Sequence, residues 1–131
     1  MYCGKLEKEG KIPKEIAAEK IKKAYIAILD NYPESKFITK AGLQLGRMLT
    51  FERNWADAAG YFDIAIQESI EKNEYTKFSL ILSLLGDCYT KLVEPEIAAE
   101  IYISYLPLAD PNDSYTGIVR AKLQDLKGGV R

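Results

Sequence analysis

The 131-residue chain contains no histidine, which removes the commonest general base and the commonest protein metal ligand. Without histidine no Ser–His–Asp triad can form, and the sequence carries no P-loop. The two cysteines, Cys3 and Cys88, lie far apart and lack metal-site spacing, so no disulfide scaffold is expected. Cys88 falls within a helical apolar pattern, as a small buried side chain would. We therefore expect a protein that is not an enzyme and that holds no metal or cofactor.

Long apolar runs and an excess of basic charge are also missing. No run of 18 apolar residues occurs, so direct membrane insertion is not expected. Residues 1–10 lack the apolar segment of a signal peptide. The net charge is −1, which argues against nucleic acid as the partner because phosphate binding needs a basic surface. We expect one soluble domain over residues 1–131, cytoplasmic by default, or periplasmic if the chain is a processed form.

Apolar residues recur with the helical period in six segments, and no segment alternates as a strand would. Ser35 and Asn54 suit helix N-caps, Asn73 suits a helix end, and Pro107 should stop a helix. Residues 1–12 are predicted to form a short or truncated helix. The other predicted helices span about residues 13–31, 36–52, 54–72, 75–92, 95–106 and 114–127. The stripe predicted to be buried on the second of these consists of Phe37, Ala41, Leu45, Met48 and Leu49.

One pattern of small and large residues occurs twice at an offset of forty residues. It reads Leu45-Gly46-x2-Leu49 with Ala58-x3-Phe62, and then Leu85-Gly86-x2-Tyr89 with Ala98-x3-Tyr102. A fixed offset indicates stacked repeat units. Gly46 and Ala58 are expected where paired helices approach closely, and Phe62 is expected to fill the space between units.

These positions resemble the tetratricopeptide repeat, or TPR. The resemblance implies an all-α solenoid of antiparallel helix-turn-helix units, with about two full repeats plus flanking helices. The last predicted helix continues the register, with Phe37 matching Tyr115 and Ala41 matching Val119, as the first half of a further unit. Phe62 and Tyr102 lie 40 residues apart against about 34 in the family, so longer helices are expected. The link over residues 32–35 is similar to that of bacterial cell-envelope TPR proteins.

In the family that the chain resembles, the first helix of each unit lines a concave groove. By that likeness, the candidate partner-binding residues are Lys40, Leu43, Arg47, Phe51, Ser83, Asp87, Thr90 and Lys91. The spacing of Lys40, Leu43 and Arg47 predicts one stripe along a helix. The family's asparagine clamp for a peptide carboxylate is expected to be absent, since Leu43 and Leu84 stand at its positions.

Two functions fit this sequence. The first is a non-catalytic scaffold that binds a peptide or a partner protein in its groove. The second is a structural subunit that docks by its ends or its convex face within a larger multiprotein complex. Mutation of the groove distinguishes them, because only a groove binder loses its partner.

Overall fold

The computed structural model describes residues 14–129, and these fold into α-helices with no strand among them. The bounds are α1 Lys14–Asn31, α2 Ile38–Phe51, α3 Trp55–Lys72, α4 Phe78–Lys91, α5 Pro95–Tyr105 and α6 Ser114–Gly129, with a 3-10 turn at Leu106–Leu108. The predicted all-α class is confirmed. The short helix predicted over residues 1–12 lies outside the described residues.

Asparagines set both ends of α3, as predicted. The side chain of Asn54 accepts a hydrogen bond from the backbone N of Asp57 at 3.4 Å. Asn73 adopts the left-handed conformation, with φ of 59°, that ends the helix. The prediction that Ser35 caps α2 is wrong. Its Oγ accepts a hydrogen bond from the backbone N of Phe37 at 3.0 Å, so it shapes the turn before the helix instead.

Each helix packs against the next one along the chain, and α6 also contacts α4. The apolar faces that meet in this way form one core. Its largest fully buried apolar side chains are Tyr102, Phe62, Phe78, Leu45, Ile66, Ile81, Leu82, Leu85 and Val119. Because the connections between helices are short, residues that meet in the core are mostly close in sequence.

Glycine admits an aromatic ring at the same place in both repeats. A Cβ atom on Gly46 would lie 2.3 Å from the nearest ring carbon of Phe62, and one on Gly86 would lie within 2.1 Å of a ring carbon of Tyr102. The close approach predicted for Gly46 is therefore present between α2 and α3. The ring of Phe62 lies against Gly46 within the α2–α3 pair, and the expectation that it fills the space between units stays a prediction.

Two turns that are forty residues apart share one backbone conformation. Arg53 and Val93 are both left-handed, with φ of 63° and 60°. The residue after Arg53 donates its backbone N–H to the carbonyl of Leu49 at 2.8 Å, and the residue after Val93 donates to the carbonyl of Tyr89 at 2.9 Å. The offset seen in the sequence is thus also present in the backbone.

The stripe predicted for α2 is fully buried only at Ala41, Leu45 and Leu49. Phe37 was placed wrongly, since 47% of its surface is exposed. The helix begins two residues later than predicted, and Ile38, at 5% exposure, takes the buried position.

The last helix packs in the predicted register. Val119 is as fully buried as Ala41, its equivalent on α2. A buried hydrogen bond of 2.7 Å joins the hydroxyls of Ser79 and Thr116, and Thr116 Oγ1 also donates to the carbonyl of Asp110 at 2.6 Å. These bonds fix the start of α6 on α4. Helix α1, the first of the described helices, has no fully buried side chain among residues 16–31.

Candidate functional site

A pocket between α2, α3 and α4 collects four of the eight residues predicted to bind a partner. We call it the Phe51 pocket, and its lining residues are Thr50, Phe51, Trp55, Leu84, Asp87, Thr90 and Lys91. Its volume is about 290 Å³. Pockets for whole small molecules measure roughly 300–1,000 Å³, so this one is at the small end of that range.

The turn between α2 and α3 brings two aromatic residues to the pocket. Phe51 is the last residue of α2 and Trp55 the first residue of α3, and the left-handed residue Arg53 reverses the chain between them. Trp55 is half-buried and packs against the core. Phe51 is 94% exposed, the highest exposure of any large apolar side chain in the described part of the chain. Burying a phenylalanine side chain stabilises by about 1.5–3 kcal/mol. Folding gains little of this energy from Phe51, because its side chain stays exposed.

Two threonines forty residues apart line the pocket, and each bonds to a carbonyl of its own helix, three residues back for Thr50 and four for Thr90. Thr50 Oγ1 donates to the carbonyl of Arg47 at 2.7 Å, and Thr90 Oγ1 donates to the carbonyl of Gly86 at 3.0 Å. Each hydroxyl therefore donates its hydrogen to a carbonyl of its own helix. Its oxygen lone pairs can still accept a hydrogen bond. Across the pocket, the Nζ of Lys91 lies 5.8 Å from the ring centroid of Trp55, within cation–π range.

Lys122 on α6 binds Asp87, one of the residues that line the pocket. Lys122 Nζ donates to both carboxylate oxygens of Asp87, at 2.8 and 2.9 Å, and to Ser83 Oγ at 2.7 Å. The Lys122 and Asp87 side chains are 32% and 45% exposed, so the ion pair contributes modestly to stability. Asp87 therefore contacts the last helix and is not an uncompensated charge in the pocket.

The predicted positions of Leu43 and Ser83 on an open face are wrong. Leu43 is 5% exposed and belongs to the core, and Ser83 is 4% exposed. The reason is that both helices are contacted on more than one side: α2 packs against α1 and α3, and α4 against α3, α5 and α6. The buried arc of each helix is therefore wider than a single stripe. Neither side chain is accessible to a partner.

Lys40 and Arg47 are exposed, as the prediction requires. Arg47 precedes Phe51 by four residues and follows Lys40 by seven, so the three side chains lie along one side of the helix. We call Lys40, Arg47 and Phe51 the α2 stripe. Neither cation forms an ion pair with another residue of the described range. The stripe thus leads from two uncompensated positive charges to the aromatic pocket.

Sequence reasoning missed four residues of this site: Thr50, Trp55 and Leu84, which line the pocket, and Lys122, which binds Asp87. Trp55, the chain's single tryptophan, stands at a helix start and was not among the predicted partner-binding residues. Leu84 was noticed only as a departure from the family clamp. No pattern along the sequence links Lys122 to Asp87, 35 residues earlier.

The titratable side chains with the largest pKa shifts in this region are Cys88 and Tyr102. No group of three or more His, Cys, Asp or Glu residues among those described is arranged to hold a metal ion. Burial raises the pKa of the Cys88 thiol to about 12, and the Asp87 carboxylate adds to the shift, so this thiol is protonated near neutral pH. Burial also raises the pKa of the Tyr102 hydroxyl, which lies 3.4 Å from the carbonyl of Ser83. Within residues 14–129, none of the helices has the length and apolar character needed to cross a membrane.

Comparisons with known proteins found no matching family model, no matching curated protein and no matching solved structure.

Proposed function

We propose that this protein is a non-catalytic interaction module of the TPR type, and that it binds a peptide or a segment of a partner protein along α2 and α4. The observation that carries this proposal is the Phe51 pocket. It places an almost fully exposed phenylalanine beside Trp55 and Leu84 at the end of a helix pair. Exposed aromatic side chains in a small apolar depression are the usual anchors of protein interfaces.

The internal repeat supports the TPR assignment. The pairs Gly46–Phe62 and Gly86–Tyr102 make the same close contact forty residues apart. Consecutive helices pack on one another, as they do in a solenoid. In such a stack α2, α4 and α6 are the first helices of their units and share one face, which is the face that carries the pocket.

Selection of a random peptide library displayed on phage tests the proposal. We expect enrichment of peptides whose binding requires Phe51, so that Phe51→Ala weakens an enriched peptide by about tenfold, which is about 1.4 kcal/mol. Since Phe51 is exposed, the variant should keep the parent's unfolding midpoint. Trp55 is the only tryptophan, so its fluorescence should change when the pocket fills.

Phe37→Ala is the matched control. Phe37 is also an exposed phenylalanine next to α2, but it lies outside the pocket. Its replacement should leave binding unchanged. Enriched peptides that bind Phe51→Ala as well as the parent, without any change in Trp55 fluorescence, would show that the pocket is not the binding site.

A structural subunit docked through an end of the helix stack is the second candidate, and α1 favours it. Ile16 and Ile21 are each 48% exposed on a helix with no fully buried side chain among residues 16–31. Under this alternative, Ile16→Asp with Ile21→Asp abolishes assembly and Phe51→Ala does not. A groove binder gives the reverse result.

A further inference from the structure

We infer that the ligand of the Phe51 pocket is an acidic peptide segment with one bulky apolar side chain. This inference rests on the proposed function and adds to it the charge of the ligand and the kind of side chain that enters the pocket. The formal net charge of −1 hides an uneven distribution of charge among the helices. Helix α2 carries Lys40 and Arg47 and no carboxylate. Helix α3, packed against α2, has four carboxylates against one lysine, whereas α1, packed against it as well, has four lysines and three carboxylates. Helix α5, which packs against α4, has two carboxylates and no cation.

This distribution directs an acidic ligand to the α2 stripe and away from α3 and α5. A field of one sign along a groove raises the local concentration and the association rate of a ligand of the opposite sign. The one carboxylate lining the Phe51 pocket, Asp87, is compensated by Lys122. Lys91 adds a further cation at the rim, above the ring of Trp55. A carboxylate on the ligand therefore meets Arg47, Lys40 or Lys91 and encounters no unpaired acid in the pocket.

The apolar part of the site favours a peptide over a nucleic acid. The pocket's exposed lining is mainly apolar, with Phe51, Trp55 and Leu84 as its large side chains. A volume of about 290 Å³ accommodates one bulky side chain. Nucleic-acid affinity depends on many phosphate contacts, whereas the α2 stripe offers only Lys40 and Arg47 as cations.

The charge of the peptides enriched from the random library tests the inference separately from the proposed function. We expect enriched sequences to carry net negative charge around a large apolar residue. Lys40→Glu with Arg47→Glu should weaken such a peptide about tenfold at low salt, and the loss should shrink as salt is added. Lys20→Glu with Lys23→Glu on α1 is the control, because it changes the net charge equally but at exposed sites away from the stripe.

The outcomes separate the two claims. If enriched peptides require Phe51 but are neutral or basic, the acidic ligand is refuted and the interaction module stands. If no enriched peptide requires Phe51, both fail. Heparin, a polyanion without apolar side chains, is the competitor. If it binds Phe51→Ala as tightly as the parent and displaces the peptides, the face is a general polyanion surface and the inference is overturned.

Discussion

Replacing Gly46 with alanine tests the central contact of the helix pair. The new Cβ would lie 2.3, 2.5 and 2.7 Å from three ring carbons of Phe62, which is fully buried and cannot swing into solvent. Overpacking of a core costs about 1–3 kcal/mol. Alanine in place of glycine gains about 1 kcal/mol of helix propensity, which offsets part of that cost. We expect a net loss of up to about 2 kcal/mol in the free energy of unfolding, measured by urea denaturation followed by circular dichroism.

Gly60 provides a matched control on α3. It is also a glycine within a helix, but a Cβ added there has no atom within 4 Å. Gly60→Ala should therefore stabilise the protein by about 1 kcal/mol, so that the two variants differ by roughly 1–3 kcal/mol. The reasoning is refuted if Gly46→Ala stabilises the protein as much as Gly60→Ala does. Combining Gly46→Ala with Phe62→Leu should cost less than the sum of the single changes, because the ring that clashes is gone.

Three further predictions concern other parts of the molecule. Deleting residues 112–131 uncovers the side of α4 that α6 covers and should cause self-association in light scattering; a monomer of unchanged stability would contradict this. In a Cys3→Ser variant, the Cys88 thiol should resist thiol reagents at pH 8 until the protein unfolds. Because its pKa is raised, its contribution to stability is complete below pH 9.0, the ordinary value, and is lost as pH rises toward about 12; an unchanged urea midpoint across that range would refute it. Lys122→Met should cost about 0.5–1 kcal/mol at low salt and less at high salt, and a larger loss would show that this exposed pair with Asp87 is more than a surface ion pair.

The sequence predicted the helices well because their signals are local. Asn54 and Asn73 act within one turn of their own positions, and the helical period extends over many residues. The start of α2 was missed because Ser35 satisfies a nearer backbone N–H, an alternative that the sequence pattern does not exclude. The close approach at Gly46 was predicted because the sequence has two glycines forty residues apart, each followed by an aromatic residue at the same distance. Such a recurrence indicates that both glycines meet the same packing requirement.

The site was predicted less completely, since exposure depends on how many neighbours a helix has. Leu43 follows the spacing of an open stripe, yet contacts on more than one side of α2 draw it into the core. Phe51 was identified correctly as exposed, but its partner Trp55 lies on the next helix, and their proximity depends on the turn at Arg53. The bond from Lys122 to Asp87 joins α6 to α4, a pairing that depends on how the two helices pack.

Contacts restricted largely to neighbouring helices have a consequence for how the molecule opens. In such a linear arrangement, local unfolding begins where a segment has the fewest buried contacts and spreads inward step by step. Helix α1 has no fully buried side chain among residues 16–31, whereas α3 and α4 have the largest numbers of apolar side chains with no exposed surface. Hydrogen exchange should therefore be graded along the chain, with α1 amides exchanging well before the global unfolding limit that governs α3 and α4. Local opening of α1 should leave the Phe51 pocket intact. The walls of the pocket belong to α3, α4 and the turn between α2 and α3, and the two helices are expected to exchange most slowly.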